Sequence, residues 1–344
     1  MKILITHELF PPNVAGGGEK LVYRLAKNLI DQGHSVKVVT SGDPEIKSYK
    51  GVETIRIPFN RYLMNILSLP TILMEAWDAD IIQTSSGNMT WPSYVAAAII
   101  GKPVCCWVHH IFGKYWRGIR GPILGRIFEI FERFILTRRF DSWVFQNNSS
   151  KKIGIGVGIP ARKITMISPG IDYGAFQKKL ERKNNVLFVG NFSMDEPTKK
   201  TKGVRYLLEA AEMLPSIDFV LLGNFKELKT PKNVSILGTV SYRKLINIYN
   251  SSSVFVCSSL NEGFSLALLE AMASGCAIVS TIDIGQVGRI VKPKDSEGLA
   301  KAIKFYIDNP EKAKKDGELN RKLAKQYSWE KFYSEFEKLY RKLK

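Results

Sequence analysis

Two glutamates, Glu262 and Glu270, stand eight positions apart in the run NEGFSLALLEAMASG, which covers 261–275. A strand-to-helix turn between them puts both carboxylates on roughly the same face, just over two helical turns apart. Two hydrogen-bond acceptors then line one wall of a cleft. Gly263, Phe264 and Ser265 lie between them and offer backbone amides at a helix N-terminus, a place for a phosphate or a sugar hydroxyl. Taken alone the spacing also has a plainer account, in which Glu262 caps the helix and Glu270 is solvated. A second stretch, GIGVG at 154–158, invites a dinucleotide reading. Its G-x-G-x-G spacing has no distal acid in a clear βαβ unit, so it reads as a loop.

A third stretch concentrates positive charge. Residues 114–139 hold seven Lys or Arg against two acids, interleaved with Tyr115, Trp116 and a series of Ile, Leu and Phe. In its helical part Arg126, Glu129, Arg133 and Thr137 form one stripe, and Leu124, Ile127, Phe128, Phe131 and Ile135 another. A basic amphipathic helix with aromatics at one end suits an anionic membrane surface, here through Trp116, Arg117, Arg120 and Arg126. The alternative is a helix packed on a sheet with a solvated basic face. The apolar stretch at 61–77 is either a lipid-acceptor surface or core.

The elements that must position these residues alternate between strand and helix. Residues 2–6 read as a strand, 19–32 as a helix closed by Gly33, and 36–40 as a second strand, which makes a β-α-β unit with a parallel sheet. Further strands are expected at 81–82, 104–108, 142–145 and 165–167. A second series starts at 186–190 and runs through a helix at 204–214, strands at 219–222 and 234–237, a helix at 241–250, a strand at 254–257, a helix at 265–273 and a strand at 277–280. The fold class is therefore α/β, with two Rossmann-like doubly wound domains facing across a cleft. The expected division is 1–176, a polar linker at 177–185, 186–328, and a C-terminal crossing helix at 329–344 that packs back on the first domain.

The run EGFSLALLEAMASG resembles the E-x7-E signature of family-4 glycosyltransferases, retaining enzymes of the two-domain GT-B fold. The resemblance spans nearly the whole chain. It takes in Gly16-Gly17-Gly18-Glu19 after the first strand, Val108-His109 late in the first domain and Ser168-Pro169-Gly170-Ile171-Asp172 entering the second. Val189-Gly190, Lys202-Gly203, Leu237-Gly238-Thr239-Val240 and the final helix complete it.

The resemblance implies roles residue by residue. Glu270 would accept hydrogen bonds from the nucleotide ribose, whose two adjacent hydroxyls one ionised carboxylate can take together. Glu262 would contact the transferred sugar, and Gly16 and Gly17 would let the backbone approach the donor phosphate or sugar. His109 would contact the donor sugar and help to align the acceptor. His110 points to the other face if the strand persists, so one of the two histidines is structural. Lys202 would balance charge on the leaving diphosphate, in a transfer that needs no metal or other cofactor. An arginine usually follows the glycine of this strand in the family, but here the residue is Asn191, ahead of a longer loop. Lys199 and Lys200 are either its substitutes or solvated loop charges.

The implied enzyme is a retaining, metal-independent glycosyltransferase moving a hexose from a nucleotide-diphosphate sugar to a hydroxyl acceptor, a lipid-linked or membrane-surface glycan. Its partners would be the nucleotide sugar, the glycan acceptor and an anionic membrane, with no nucleic acid. Its place would be cytoplasmic, at the inner face of the cell membrane. Rival readings are an epimerase or phosphorylase of the same fold, and a nucleic-acid-binding protein.

Composition bounds these readings. At 344 residues, 45% hydrophobic and 24% charged, the chain suits two globular domains and excludes a stapled mini-protein, a fibre or wholesale disorder. Fifty Lys plus Arg against 32 Asp plus Glu leave +18, an attraction to something anionic. No helix-turn-helix, RNP-type or zinc pattern accompanies the charge. Four cysteines without recurrent spacing suit a reduced compartment, and neither a leader peptide nor a membrane span is expected.

Overall fold

A computed structural model describes residues 1–12, 16–177, 180–191, 201–225 and 228–344. The chain divides into two compact units. One comprises Met1–Lys114, Arg126–Pro169 and Glu330–Lys344, the other Tyr115–Gly125 and Gly170–Trp329. The main break thus falls at Pro169/Gly170 and not within 177–185, where the last residues already belong to a strand.

The first unit is built on eight strands among the described residues. They are β1 (Lys2–Thr6), β2 (Ser35–Ser41), β3 (Ser48–Tyr49), β4 (Val52–Ile57), β5 (Ile81–Ser85), β6 (Val104–Trp107), β7 (Ser142–Phe145) and β8 (Ile164–Met166), in the order β3-β4-β2-β1-β5-β6-β7-β8. All neighbours are parallel except β3 and β4. Because β1 lies between β2 and β5, the strand order reverses at β1, and the crevice beyond the carboxyl ends there is where open α/β sheets take ligands.

The helix Trp329–Leu343 belongs to this unit, apart from its first residue. Its Phe332, Phe336, Leu339 and Tyr340 are buried, and the Trp107 ring lies 5.6 Å from Phe332 and 5.0 Å from Phe336. Each fully buried aromatic of this kind stabilises its site by roughly 1.5–3 kcal/mol.

The second unit carries six parallel strands among the described residues. These are β9 (Lys183–Val189), β10 (Asp218–Leu222), β11 (Val234–Ile236), β12 (Ser252–Cys257), β13 (Ala277–Ser280) and β14 (Gly288–Ile290), ordered β11-β10-β9-β12-β13-β14. Here the order reverses at β9, between β10 and β12. The helix Leu266–Ser274 follows β12 and ends on Gly275 at φ +75°, the left-handed conformation that stops a helix.

Both units are the expected doubly wound α/β domains. The GIGVG stretch is not the loop its spacing suggested. Gly154 and Gly156 lie in the helix Asn148–Gly156, and a Cβ on Gly154 would come 2.4 Å from the Phe145 ring. That glycine is needed for close packing of helix on strand.

Candidate functional site

In the second unit, the adjacent strands β9 and β12 bring Lys202 and Glu262 together. Lys202 Nζ donates to Glu262 Oε1 at 2.6 Å, and Ser259 Oγ donates to Glu262 Oε2 at 2.7 Å. The Glu262 side chain is 8% exposed and that of Lys202 35%. Burial works against the ammonium, but the charge and hydrogen bond of Glu262 outweigh it and hold the lysine pKa above its ordinary value. The loop backbone fixes this geometry. Leu260 N donates to Thr201 O at 2.7 Å and Ser258 Oγ to Lys202 O at 3.0 Å. Gly203 takes φ +67°, and a Cβ there would meet Ser258 O at 1.9 Å, so no other residue fits.

Ser265 caps the following helix: its backbone is extended and its Oγ accepts from Leu268 N at 3.3 Å. Gly263, Phe264 and Ser265 are all buried. The Phe264 side chain is part of the core, with its ring 6.0 Å from Tyr327, so only its backbone is available to a ligand. Glu270 stands on the same helix and lies against the Tyr249 hydroxyl, which donates to Ala267 O at 3.1 Å. Burial first and the Glu270 carboxylate second push that hydroxyl well above the ordinary tyrosine pKa. Asn191 is exposed, and its Oδ1 accepts from Asn224 N at 2.9 Å, clamping the turn after β9 to the turn after β10. Lys199 and Lys200 lie outside the described residues.

In the first unit, the carboxyl ends of β1 and β6 bring His7 and His109 together. The rings meet edge to face, with centroids 5.6 Å apart and planes at 69°. His109 N donates to Ser86 Oγ at 2.9 Å, and the Gln146 amide nitrogen lies 3.3 Å from His109 Nδ1. A donor facing Nδ1 leaves the ring proton on Nε2. Burial, then neighbouring His7 and His110, push the His109 pKa well below its ordinary value, so the ring is neutral at physiological pH. His110 is exposed and stacks on Phe112 at 5.5 Å.

The start of the first helix reaches the same place, since a Cβ on Gly18 would lie 3.8 Å from His109 Nδ1. Gly16 N donates to Glu19 Oε2 at 2.9 Å, the half of a capping box that a glycine N-cap permits, and Gly17 opens the helix Gly17–Asp31. The Gly16 amide is therefore engaged within the chain.

The apolar stripe of the helix Pro122–Leu136 differs from the one expected. Ile123, Ile127, Ile130 and Phe134 recur at helical spacing and are 39–78% exposed, whereas Ile135 and Leu136 are buried. Arg126 is exposed and lies 3.1 Å from Glu129, Arg117 is exposed and Arg120 half-buried. Trp116 is half-buried as well, so the exposed apolar surface comes from the isoleucines, Leu124 and Phe134 and not from that indole. The stretch at 61–77 is mixed, with Met64, Ile72 and Ala76 buried and Ile66, Met74 and Trp77 exposed. No helix among the described residues is long and apolar enough to cross a membrane.

Two family models cover most of the chain: Glycosyltransferase Family 4 matches residues 15–174 and Glycosyl transferases group 1 matches residues 183–309. The chain belongs to the family-4 glycosyltransferases. A similar curated relative is a phosphatidyl-myo-inositol mannosyltransferase of Mycolicibacterium smegmatis, 25% identical over 85% of this chain and 81% of that protein. Among solved structures, a sucrose-phosphate synthase of Thermosynechococcus elongatus superposes with TM-score 0.78 at 19% identity, covering 99% of this chain and 98% of the other. HepE of Anabaena in complex with UDP-glucose gives 0.74 at 18%, covering 98% and 99%. These two likenesses establish the GT-B fold. The family-4 glycosyltransferase thus carries the E-x7-E pair on the strand-helix unit of its second domain and the histidine at the carboxyl edge of its first.

Sequence reasoning missed Tyr249, Ser259 and His7. Tyr249 sits at helical spacing from Ile246 and signals only core. Ser259 is one of a run of serines, and His7 directly follows the first strand without a motif around it.

Proposed function

We propose that this glycosyltransferase transfers a hexose, with retention of anomeric configuration and without a metal ion, from a nucleotide-diphosphate sugar to a hydroxyl on a lipid-linked or membrane-surface glycan. The observation that carries the reading is the cluster at the switch point of the second sheet. Lys202, a cation, and Glu262, a buried acceptor, meet beside a helix that carries a second carboxylate, Glu270.

Each group has a task that suits its chemistry. Glu270 accepts the ribose hydroxyls, and Gly263, Phe264 and Ser265 offer backbone groups. Lys202 trades part of its contact with Glu262 for the diphosphate, where positive charge counts most as the leaving group departs. Glu262, released, accepts hydroxyls of the transferred sugar. Asn191 contributes its amide N–H groups beside the phosphates, and Gly16 and Gly17 leave room for the sugar. His109 donates through Nε2 to a sugar hydroxyl. No side chain of the second-domain cluster is a free nucleophile, which favours departure and attack on one face, with the phosphate oxygen taking the acceptor proton. A hydrolase scheme with two carboxylates flanking the bond fits poorly, because Glu262 and Glu270 come from one strand-helix unit.

The membrane reading rests on the exposed stripe of Ile123, Ile127, Ile130 and Phe134 flanked by Arg126 and Arg133. Apolar surface with basic neighbours suits the inner, anionic leaflet of a cell membrane from the cytoplasmic side. The similarity to a phosphatidyl-myo-inositol mannosyltransferase supports a lipid acceptor. A thermal-shift screen against UDP-, GDP- and ADP-sugars in EDTA tests the donor half, because ligand at one hundred times its Kd stabilises the fold by about 2.7 kcal/mol. One nucleotide sugar raising the melting temperature is the expected result. No response from any of them would contradict the reading, and turnover of the donor to an isomer without acceptor would favour an epimerase.

A further inference from the structure

His7 is 5% exposed, and among the described residues neither of its ring nitrogens has a hydrogen-bond partner. His109 Nε2, on the ring it abuts, is likewise buried and has no partner among the described residues. Buried polar atoms are almost always satisfied, and those left open in a ligand-free protein point to a ligand or an ordered water. Three such nitrogens lie on two touching rings. They stand where strand order reverses in the first sheet, beside Gly18 at the start of the helix Gly17–Asp31, in the crevice where open α/β sheets take ligands.

The state of the rings selects the ligand. Burial first and the Arg61 charge second depress the His7 pKa to about 4, and His109 is depressed as well, so both are neutral at physiological pH. A neutral imidazole donates from one nitrogen and accepts at the other, the complement of a hydroxyl, which does both. It gives a phosphate no charge assistance. Adjacent hydroxyls on a sugar ring match two neutral rings meeting edge to face.

We propose that His7 is a substrate-binding residue that pairs with His109 to hold neighbouring hydroxyls of the hexose carried by the nucleotide sugar. The inference rests on the glycosyltransferase reading above and adds a residue to it. The two open nitrogens of His7 are then a cost that the free protein carries and the bound sugar relieves.

The substitution His7→Phe keeps the aromatic edge against His109 and removes both nitrogens, and His7→Gln restores one donor and one acceptor. The probes are the nucleotide sugar giving the largest wild-type thermal shift among UDP-glucose, UDP-galactose, GDP-mannose and ADP-glucose, and its parent nucleoside diphosphate. Without ligand, His7→Phe is expected to melt at or above the wild-type temperature, since it buries no unsatisfied atoms. It should bind the nucleotide sugar about tenfold more weakly, the equivalent of one lost hydrogen bond, and the nucleoside diphosphate equally well. His7→Gln should recover part of the loss. Equal affinity of wild type and His7→Phe for the nucleotide sugar would overturn the proposal. So would a His7→Phe protein less stable than wild type, which would mean that the nitrogens are already satisfied without substrate. A wild type that responds to none of the four sugars would instead fail the donor reading, while the stability comparison would still decide about His7.

Discussion

Lys202 Nζ and Glu262 Oε1 are 2.6 Å apart, an ion pair joining the segment after β9 to the segment after β12 with the carboxylate almost fully buried. Ser259 holds the other oxygen of the same carboxylate at 2.7 Å, so both side chains are fixed before any ligand arrives.

Lys202→Ala is expected to lower kcat by about 2–4 kcal/mol of transition-state stabilisation, on the order of 30- to 1000-fold, with little change in acceptor KM. Steady-state kinetics in EDTA checks this. Activity that survives the substitution and needs added Mg²⁺ or Mn²⁺ would contradict metal-independent transfer. The same pair has a pH signature. Because the lysine pKa is raised in the folded state, its stabilising effect is complete below the ordinary value of 10.5 and is lost as pH climbs through the higher folded value. Melting temperatures of wild type should therefore fall faster above pH 10.5 than those of Lys202→Met.

Glu270→Gln should weaken nucleotide-sugar binding by about 1–2 kcal/mol, because the amide still accepts a hydrogen bond but without charge assistance. Calorimetric titration reads this directly. Unchanged affinity would remove Glu270 from the ribose site.

Acid stability should depend on His7. Its folded pKa of about 4 lies below the ordinary 6.5, so in the window between the two the unfolded chain takes up a proton that the folded chain refuses. Stability is then lost as pH falls from 6.5 to 4, on the order of 3 kcal/mol for this group. Denaturant titrations across that window should show a shallower decline for His7→Phe than for wild type. Parallel declines would mean that the ring protonates without cost in the fold.

Replacing Arg117, Arg120 and Arg126 by Glu should abolish co-sedimentation with anionic vesicles at low salt, since each basic residue near such a surface contributes about 1 kcal/mol and salt screens the effect. Ile127→Glu with Ile130→Glu should do the same by removing apolar area. Nucleotide binding should survive both changes. Wild type that ignores anionic vesicles would point to a soluble acceptor.

The alternation of apolar runs with helical spacing made both doubly wound domains legible, because each central strand, such as β1 or β12, is a short uninterrupted apolar segment. β3, β4 and β14 escaped notice: β3 and β14 are edge strands of two and three residues, and β4, between β3 and β2, mixes apolar residues with the polar Thr54 and Arg56. The glutamates were legible because their spacing is local. The links that hold them were not, since Ser259 acts through a loop closure and Tyr249 through packing of one helix on the next. His7 had no sequence signal at all; its significance lies in hydrogen bonds it does not make, which only coordinates reveal. The GIGVG stretch failed for a related reason, in that a glycine required by the Phe145 ring looks in sequence like one required by a turn.

The measurement that tests the central claim most directly is the configuration of the first sugar product when an α-linked nucleotide sugar is turned over in EDTA. Proton NMR distinguishes the anomers before they equilibrate, with water or a membrane-lipid extract as acceptor. The account predicts an α-configured product and free nucleoside diphosphate, lost together in Lys202→Ala. A β-configured product, or no turnover until a divalent metal is added, would contradict it.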